Sequence, residues 1–420
     1  MNADAKNAWR LESPPFETWH SRIDEKSTDK PVVISCDSHV NEPMSFMEMI
    51  EPGYEDRLPR FETDEDGNQW LITEGWTPQL VKVAESRRDL LPTLEDFESY
   101  EVLSPFSKRM EDQDVLRAAA GRDIEQRKRD RQSQGVDYEI VFPQKGQLCY
   151  ATPDVKFQTA MTRAYNRFVR QYFADDWQRS LPAALISPGD VQTAVKEIEW
   201  AAAEGFTSLM LPNRPIFHRA TEARFPLEYN DKSFEPLWDA IEASKLPIVL
   251  HVSSGQDPRA IAGDGGAIIN YLSHSMITPI EPVVQMISSG VFERHRGLRL
   301  ATIESGIGWV PWVLTQMDHA YRAHHMWVRP VIPNLPSDYY REHCYAAFLD
   351  EPKGVKAAVE FGLEDNILWS SDYPHHEGSF PYCRNNMKRN LAGLSDAQID
   401  KIVGGNATRM LGLKNATPET

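Results

Sequence analysis

Eight short apolar runs, rich in β-branched residues and bounded by turn residues, punctuate the chain, and segments with helical periodicity separate most of them. They are Val32 to Cys36, Glu139 to Pro143, Leu181 to Ile186, Ser208 to Leu211, Pro247 to Val252, Leu298 to Ile303, Tyr345 to Leu349 and Asn366 to Trp369. After the third run, VQTAVKEIEWAAAEG repeats apolar residues at helical spacing and stops on Gly205; after the fourth, FEPLWDAIEASKL does the same. Strands that alternate with single helices pair in parallel, because a parallel connection must cross over, and eight such units close on themselves. The pattern predicts an α/β protein, a (β/α)8 TIM barrel.

The spacing is uneven. About a hundred residues separate the first run from the second, where a βα unit takes roughly 30. A large insertion therefore follows strand 1, spanning about residues 44–135. Its first part, around NQWLITEGW, reads as a small hairpin cap, and its second part, from Ser107 to Gly135, as a charged helical stretch. Residues 1–30 are polar and contain proline, and read as an N-terminal arm lying on the surface or on a partner. The barrel itself is expected over 31–413, with 414–420 as a tail.

Charge narrows the partners. With 45 Lys and Arg against 62 Asp and Glu, the chain carries a formal −17, and no basic face suited to nucleic acid or an acidic membrane stands out. Cys36, Cys149, Cys344 and Cys383 lie far apart with no CxxC pair, which fits buried thiols in a reducing compartment. The first twenty residues lack the apolar core of a secretory signal, and no stretch approaches the ~18 apolar residues of a membrane span. A cytoplasmic protein acting on a small molecule is the expectation.

In a barrel of this kind the chemistry sits at the C-terminal strand ends. Run one leads into Asp37-Ser38-His39, where strand alternation puts a carboxylate and an imidazole on one side, able to grip one ion. Run five ends in His251, run six leads into Glu304, and run eight into Asp372-Tyr373-Pro374-His375-His376. Asp37, His39, His251 and Asp372 thus stand where one ion could use them, and Glu304 is a further carboxylate that could join them as a ligand. His375 and His376 cannot both point inward if the chain stays extended, and parity with Asp372 favours His376. His274, in NYLSHSMIT, can reach the pocket from above; Arg259, in GQDPRA, suits a substrate carboxylate; Trp309, flanking Pro311 with Trp312, can wall the pocket. Substrate binding is the expected role of these three. Carboxylates mixed with imidazoles suit Zn, Mn or Fe, as one or two ions per chain. With one ion Glu304 is free to act as general acid or base; with two it becomes a ligand.

Taken together, DSHVNEP (37–43), PIVLHVSSG (247–255), GVFERHRGLRLATIESGIGWVPW (290–312) and ILWSSDYPHHEG (367–378) resemble the amidohydrolase superfamily, in the branch with aminocarboxymuconate semialdehyde and resorcylate decarboxylases. That resemblance, over about 31–413, implies Asp37, His39, His251 and Asp372 as ligands of a divalent metal, with Asp372 also moving a proton. It also implies a homo-oligomer, commonly a dimer, with a hetero-oligomer open. Two departures add carboxylate: many members carry His-x-His where this chain has Asp37-x-His39, and the decarboxylases place a catalytic histidine where it has Glu304.

The implied activity is hydrolysis or decarboxylation of a small organic acid, with Glu304, Asp372 and His376 as the catalytic groups. An alternative on the same barrel is a dinuclear iron or iron–manganese oxygen-dependent monooxygenase, with Glu304 and His376 as ligands. A non-catalytic barrel would need a defective metal set, and the one here is complete.

Overall fold

The computed structural model describes residues 31–82, 121–215, 227–255, 261, 263–324, 327, 331–375, 377–414 and 416–418. The arm at 1–30 lies outside them, as do Arg259, His376 and much of the charged stretch of the insertion.

Strand β1 spans Ile34–Val40 and is buried throughout. It is followed by three strands of the insertion, β2 (Arg60–Thr63), β3 (Gln69–Ile72) and β4 (Gln79–Lys82), which pair antiparallel as a small separate sheet. The insertion then supplies a helix, Ile124–Gln134, started by an Asp123 side chain that accepts from the N–H groups of Glu125 and Gln126 and ended by left-handed Gly135.

The barrel resumes with β5 (Tyr138–Pro143), β6 (Ser180–Pro182) and β7 (Ala184–Leu185). It continues through β8 (Leu209–Met210), β9 (Ile248–His251), β10 (Leu300–Ile303), β11 (Cys344–Phe348) and β12 (Ile367–Trp369). Pairing is parallel in the order β1-β5-β6 and β7-β8-β9-β10-β11-β12. β6 and β7 are two halves of one strand. Ala183 N–H donates back to Val141 O, and Ala184 N–H donates forward to Ser208 O, so the run hands its hydrogen bonds from one neighbour to the next. Ser38 of β1 bridges Tyr373 just past β12, which brings the first and last strands together. All eight apolar runs are therefore barrel strands.

The first run extends further than its apolar residues suggest. It continues through Asp37 to Val40, with a register irregularity against β5 between Ser35 and Ser38, so Asp37 and His39 lie within the strand. The two clearest helices form as their periodicity predicts. Val191–Ala203 is capped by Asp190, whose side chain accepts from Thr193 N–H, and Glu235–Ser244 ends on Lys245 in the left-handed region at φ 63°, a place more often filled by glycine. Trp238 on the second of these is fully buried against the barrel. Among the described residues, no helix is long and apolar enough to cross a membrane.

Candidate metal centre

The strand ends bring five of the expected side chains together. Asp37 and His39 come from β1, His251 is the last residue of β9, Glu304 follows β10, and Asp372 lies three residues past β12. β9 and β10 run in register with His251 opposite Ile303, so Glu304 emerges one step beyond His251. His39 Nε2 lies 3.4 Å from Asp37 Oδ1 and 3.3 Å from Asp372 Oδ1. His251 Nε2 lies 3.5 Å from Asp37 Oδ1 and 3.3 Å from Glu304 Oε2. All five side chains are buried.

These contacts are close without being aligned as hydrogen bonds. Both carboxylate oxygens of Asp37 and of Asp372, and the Nε2 atoms of His39 and His251, are buried with no hydrogen-bond partner. A protein does not strand that many polar atoms out of water without a further ligand for them. The outer imidazole nitrogens are meanwhile engaged: His39 Nδ1 lies 3.2 Å from Pro143 O and His251 Nδ1 2.9 Å from Val252 O. A carbonyl only accepts, so each ring donates from Nδ1 and turns Nε2 inward, where a metal could take it, the arrangement typical of metal-bound histidines. The residues present fit a divalent cation, and Asp37, His39, His251 and Glu304 form one group whose donor atoms lie within 4.8 Å of one another.

His375 joins the cluster although strand parity points to its neighbour. Its ring stacks on His39 at 4.1 Å, and its Nδ1 lies 3.2 Å from Asp372 Oδ1. The outer nitrogen, Nε2, donates to the Gln144 side-chain oxygen. The expectation for His376 assumed an extended chain after Asp372. The backbone instead turns there, with Asp372 at φ 54° and His375 N–H bonded to Asp372 O, which rotates His375 inward.

Glu304 and Asp372 share a backbone property. Both are non-glycine residues in the left-handed region, at φ 60° and 54°. Such conformations cost of order 1–3 kcal/mol each and persist where surrounding structure imposes them.

The electrostatics separate the two carboxyl groups. Burial, then the charges of Asp372 and Asp37, push Glu304 well above the usual carboxylate range. Burial acts the same way on Asp372, but the close imidazoles of His375 and His39 outweigh it and hold the group below its ordinary value. For His39 burial favours the neutral ring, yet Asp37 and Asp372 win and raise it well above the usual histidine range. Without metal, the folded state therefore keeps protons on Glu304 and His39 that the unfolded chain releases. Stability then falls as pH rises from the unfolded carboxylate and histidine values, roughly 4.3 and 6.5, toward the raised folded ones. Chelator-treated protein is expected to lose melting temperature between about pH 5 and 8, and saturating Mn²⁺ to flatten that slope; a flat profile without metal would contradict it.

His274 is buried in a π-helical turn, Leu272–Met276, rather than in an open loop, with Nδ1 3.2 Å from Asn270 Oδ1. Trp309 starts the helix Trp309–Ala323, donates from Nε1 to Gly306 O at 3.0 Å and meets Tyr340 edge-on. Trp312 is exposed.

Several residues near the centre carry no sequence signal of their own. The Gln147 amide lies 3.4 Å from His251 Nδ1, and the Phe142 ring 4.8 Å from the His251 ring. Tyr271 is pushed up to about 12 by burial and then by Glu304, Glu377, Asp372 and Asp37, so its phenol keeps its proton. Position after β5, in IVFPQKGQ, is the one clue that could have flagged Gln144 and Gln147. Their loop is held by buried Glu42, whose carboxylate accepts from Gln144 N at 3.2 Å, Lys145 N at 3.0 Å and Gly146 N at 2.7 Å. Glu42→Ala leaves those three donors unmet; we expect a 10- to 100-fold loss in metal affinity or turnover, about what losing support behind a ligand costs, checked by Mn²⁺ titration.

A barrel whose strand ends converge buried carboxylates and imidazoles with their inner atoms bare is a divalent-metal enzyme. The chain belongs to the amidohydrolase family, whose model matches residues 64–413. It is 23% identical over 264 residues to a γ-resorcylate decarboxylase from Polaromonas sp., covering 60% of this chain and 76% of that one. A γ-resorcylate decarboxylase from Rhodococcus jostii is 26% identical over 235 residues, 53% of this chain and 69% of that one. Among solved structures, an amidohydrolase from Mycobacterium avium subsp. paratuberculosis superposes with a TM-score of 0.67 at 18% identity, covering 93% of this chain and 100% of that one. A dihydroxybenzoic acid decarboxylase from Polaromonas sp., with bound manganese and the inhibitor 2-nitroresorcinol, superposes at 0.63 with 16% identity, covering 92% and 98%. These likenesses bear out the barrel and the family resemblance.

Proposed function

We propose that the protein is a metal-dependent decarboxylase of a small hydroxylated aromatic acid. The observation that carries this is the set of bare, buried donors of Asp37, His39, His251 and Asp372 beside a buried Glu304, in a chain related to two γ-resorcylate decarboxylases. When bound, a divalent cation, Mn²⁺ first among the candidates, supplies a Lewis acid that fixes the substrate's anionic oxygens. Asp37, His39, His251 and Asp372 hold it, and His375, stacked on His39, presents a further bare nitrogen.

Glu304 and Asp372 are two carboxyl groups whose surroundings push them apart, the usual mark of divided acid and base roles. Glu304 keeps its proton and delivers it to the ring carbon that bears the carboxylate. The carbon–carbon bond then breaks, its electron pair returns to the ring, and carbon dioxide leaves: one proton in for one carbon dioxide out. Asp372 stays anionic. The Tyr271 phenol donates to the substrate at the mouth, and burial of the cluster excludes bulk water. Substrate contacts by Arg259, His274 and Trp309, and a proton-transfer role for His376, complete the reading.

Hydrolysis would use the same groups with water in place of the ring carbon, and the relatives favour decarboxylation over it. The oxygen-dependent dinuclear alternative draws no support from them. A cytoplasmic homodimer remains part of the proposal, and the four buried, unpaired thiols agree with a reducing compartment.

Mn²⁺-loaded protein incubated with 2,6-dihydroxybenzoate and related hydroxybenzoates is expected to release carbon dioxide. In deuterated water each product should gain one deuterium at the vacated carbon. Mn²⁺-loaded protein that releases none from the whole panel would remove the reading.

A further inference from the structure

Three of the expected ligands hang on one seam of the barrel. Asp37 and His39 lie on its β1 side and Asp372 on its β12 side, yet the backbone pairing across it is thin: His39 N–H to Tyr373 O at 2.5 Å and Asp372 N–H to Asp37 O at 2.9 Å. A serine pair, Ser35 with Ser371, sits just below. By contrast, β9 and β10 run in continuous register over four residue pairs. The place that most needs fixed geometry is therefore among the least regular.

The insertion helix Ile124–Gln134 crosses behind this seam and grips both sides. Arg127, 1% exposed, donates from Nη1 to His39 O at 2.7 Å, from Nη2 to Ser38 Oγ at 2.7 Å and from Nε to Glu139 Oε1 at 2.6 Å. One turn on, Asp130 accepts from the Tyr373 hydroxyl at 2.8 Å, with Tyr373 the residue next to Asp372. The Arg127 guanidinium also lies 5.2 Å from the Tyr373 ring centroid. Residues three apart on a helix share a face, so a single face holds the His39 carbonyl and the Asp372 neighbour together. A buried guanidinium with every edge engaged is rigid, and a displaced arm would leave charge unpaired in a dry interior.

We propose that Arg127 and Asp130 are positioning residues: the helix of the insertion clamps the β1–β12 seam and so sets the affinity and coordination geometry of the cation, which neither residue touches. This rests on the reading that Asp37, His39, His251 and Asp372 hold the metal. Second-layer groups that orient ligands are worth about 10- to 100-fold in metal affinity. A lysine keeps the charge but not the planar fork.

The test is Mn²⁺ affinity by chelator competition, with the paramagnetic resonance line shape of bound Mn²⁺ as a second readout, on the full chain. Arg127→Met is expected to bind Mn²⁺ 10- to 100-fold more weakly, and Arg127→Lys to recover part of that. Tyr373→Phe removes one hydroxyl, should fold normally, and is expected to weaken binding severalfold with an altered line shape. If Arg127→Lys and Tyr373→Phe lower the melting temperature but leave affinity and line shape unchanged, the clamp is merely structural and the proposal fails. Wild-type protein that binds Mn²⁺ and decarboxylates nothing overturns the function proposed above and leaves the clamp standing.

Discussion

Asp372→Asn is expected to remove nearly all turnover, a fall of about 10²–10⁴-fold or more, while the barrel still folds. Asparagine keeps the shape and tolerates the left-handed backbone at φ 54°, so the change is one of charge. What it removes is an anion held below its ordinary value by His375 and His39 despite complete burial, with both oxygens free to bind a cation. An amide offers one neutral oxygen and cannot accept a proton. The measurement is kcat for carbon dioxide release at saturating Mn²⁺, beside bound Mn²⁺ per chain. A variant retaining more than a tenth of wild-type turnover would show that Asp372 neither binds metal nor moves a proton.

Glu304→Gln is expected to be nearly as damaging, by about 10²–10⁴-fold in kcat, for a different reason. Here the loss is the proton that burial and the neighbouring charges of Asp372 and Asp37 keep on the carboxyl group. Glutamine matches a protonated glutamic acid in size and charge, so the metal should stay bound. The same variant should make chelator-treated protein less sensitive to pH, because one of the two groups that hold extra protons in the folded state is gone. Retained metal with lost turnover identifies Glu304 as the proton donor. Loss of the metal would make it a ligand and put the acid elsewhere.

Much of this architecture was legible because barrel strands are buried on both faces and read as continuous apolar runs. Asp37 and His39 were found by the two-residue alternation of a strand, and His251 and Asp372 by their places at strand ends. The same logic misjudged where β1 stops. Asp37, Ser38 and His39 are polar yet fully buried, so an apolar count ends the strand at Cys36. It also passes over His375, since alternation holds only while the chain stays extended, and a left-handed residue at Asp372 ends that. Gln144 and Gln147 reach the centre through loop geometry that long-range packing decides. Arg127 is subtler still: in a stretch as charged as IEQRKRDRQSQ nothing local separates the buried Arg127 and Arg131 from the solvated Arg129.

The two carboxylates in left-handed backbone have a consequence for how such a protein responds to selection. Glycine at position 304 would relieve a conformation that glutamate adopts reluctantly and remove a buried acid crowded by two others. A library screened for heat resistance alone should therefore enrich Glu304→Gly, and the survivors should be more robust and catalytically dead. Heat resistance and turnover here compete for the same residue, so any engineering of this scaffold has to screen for both at once.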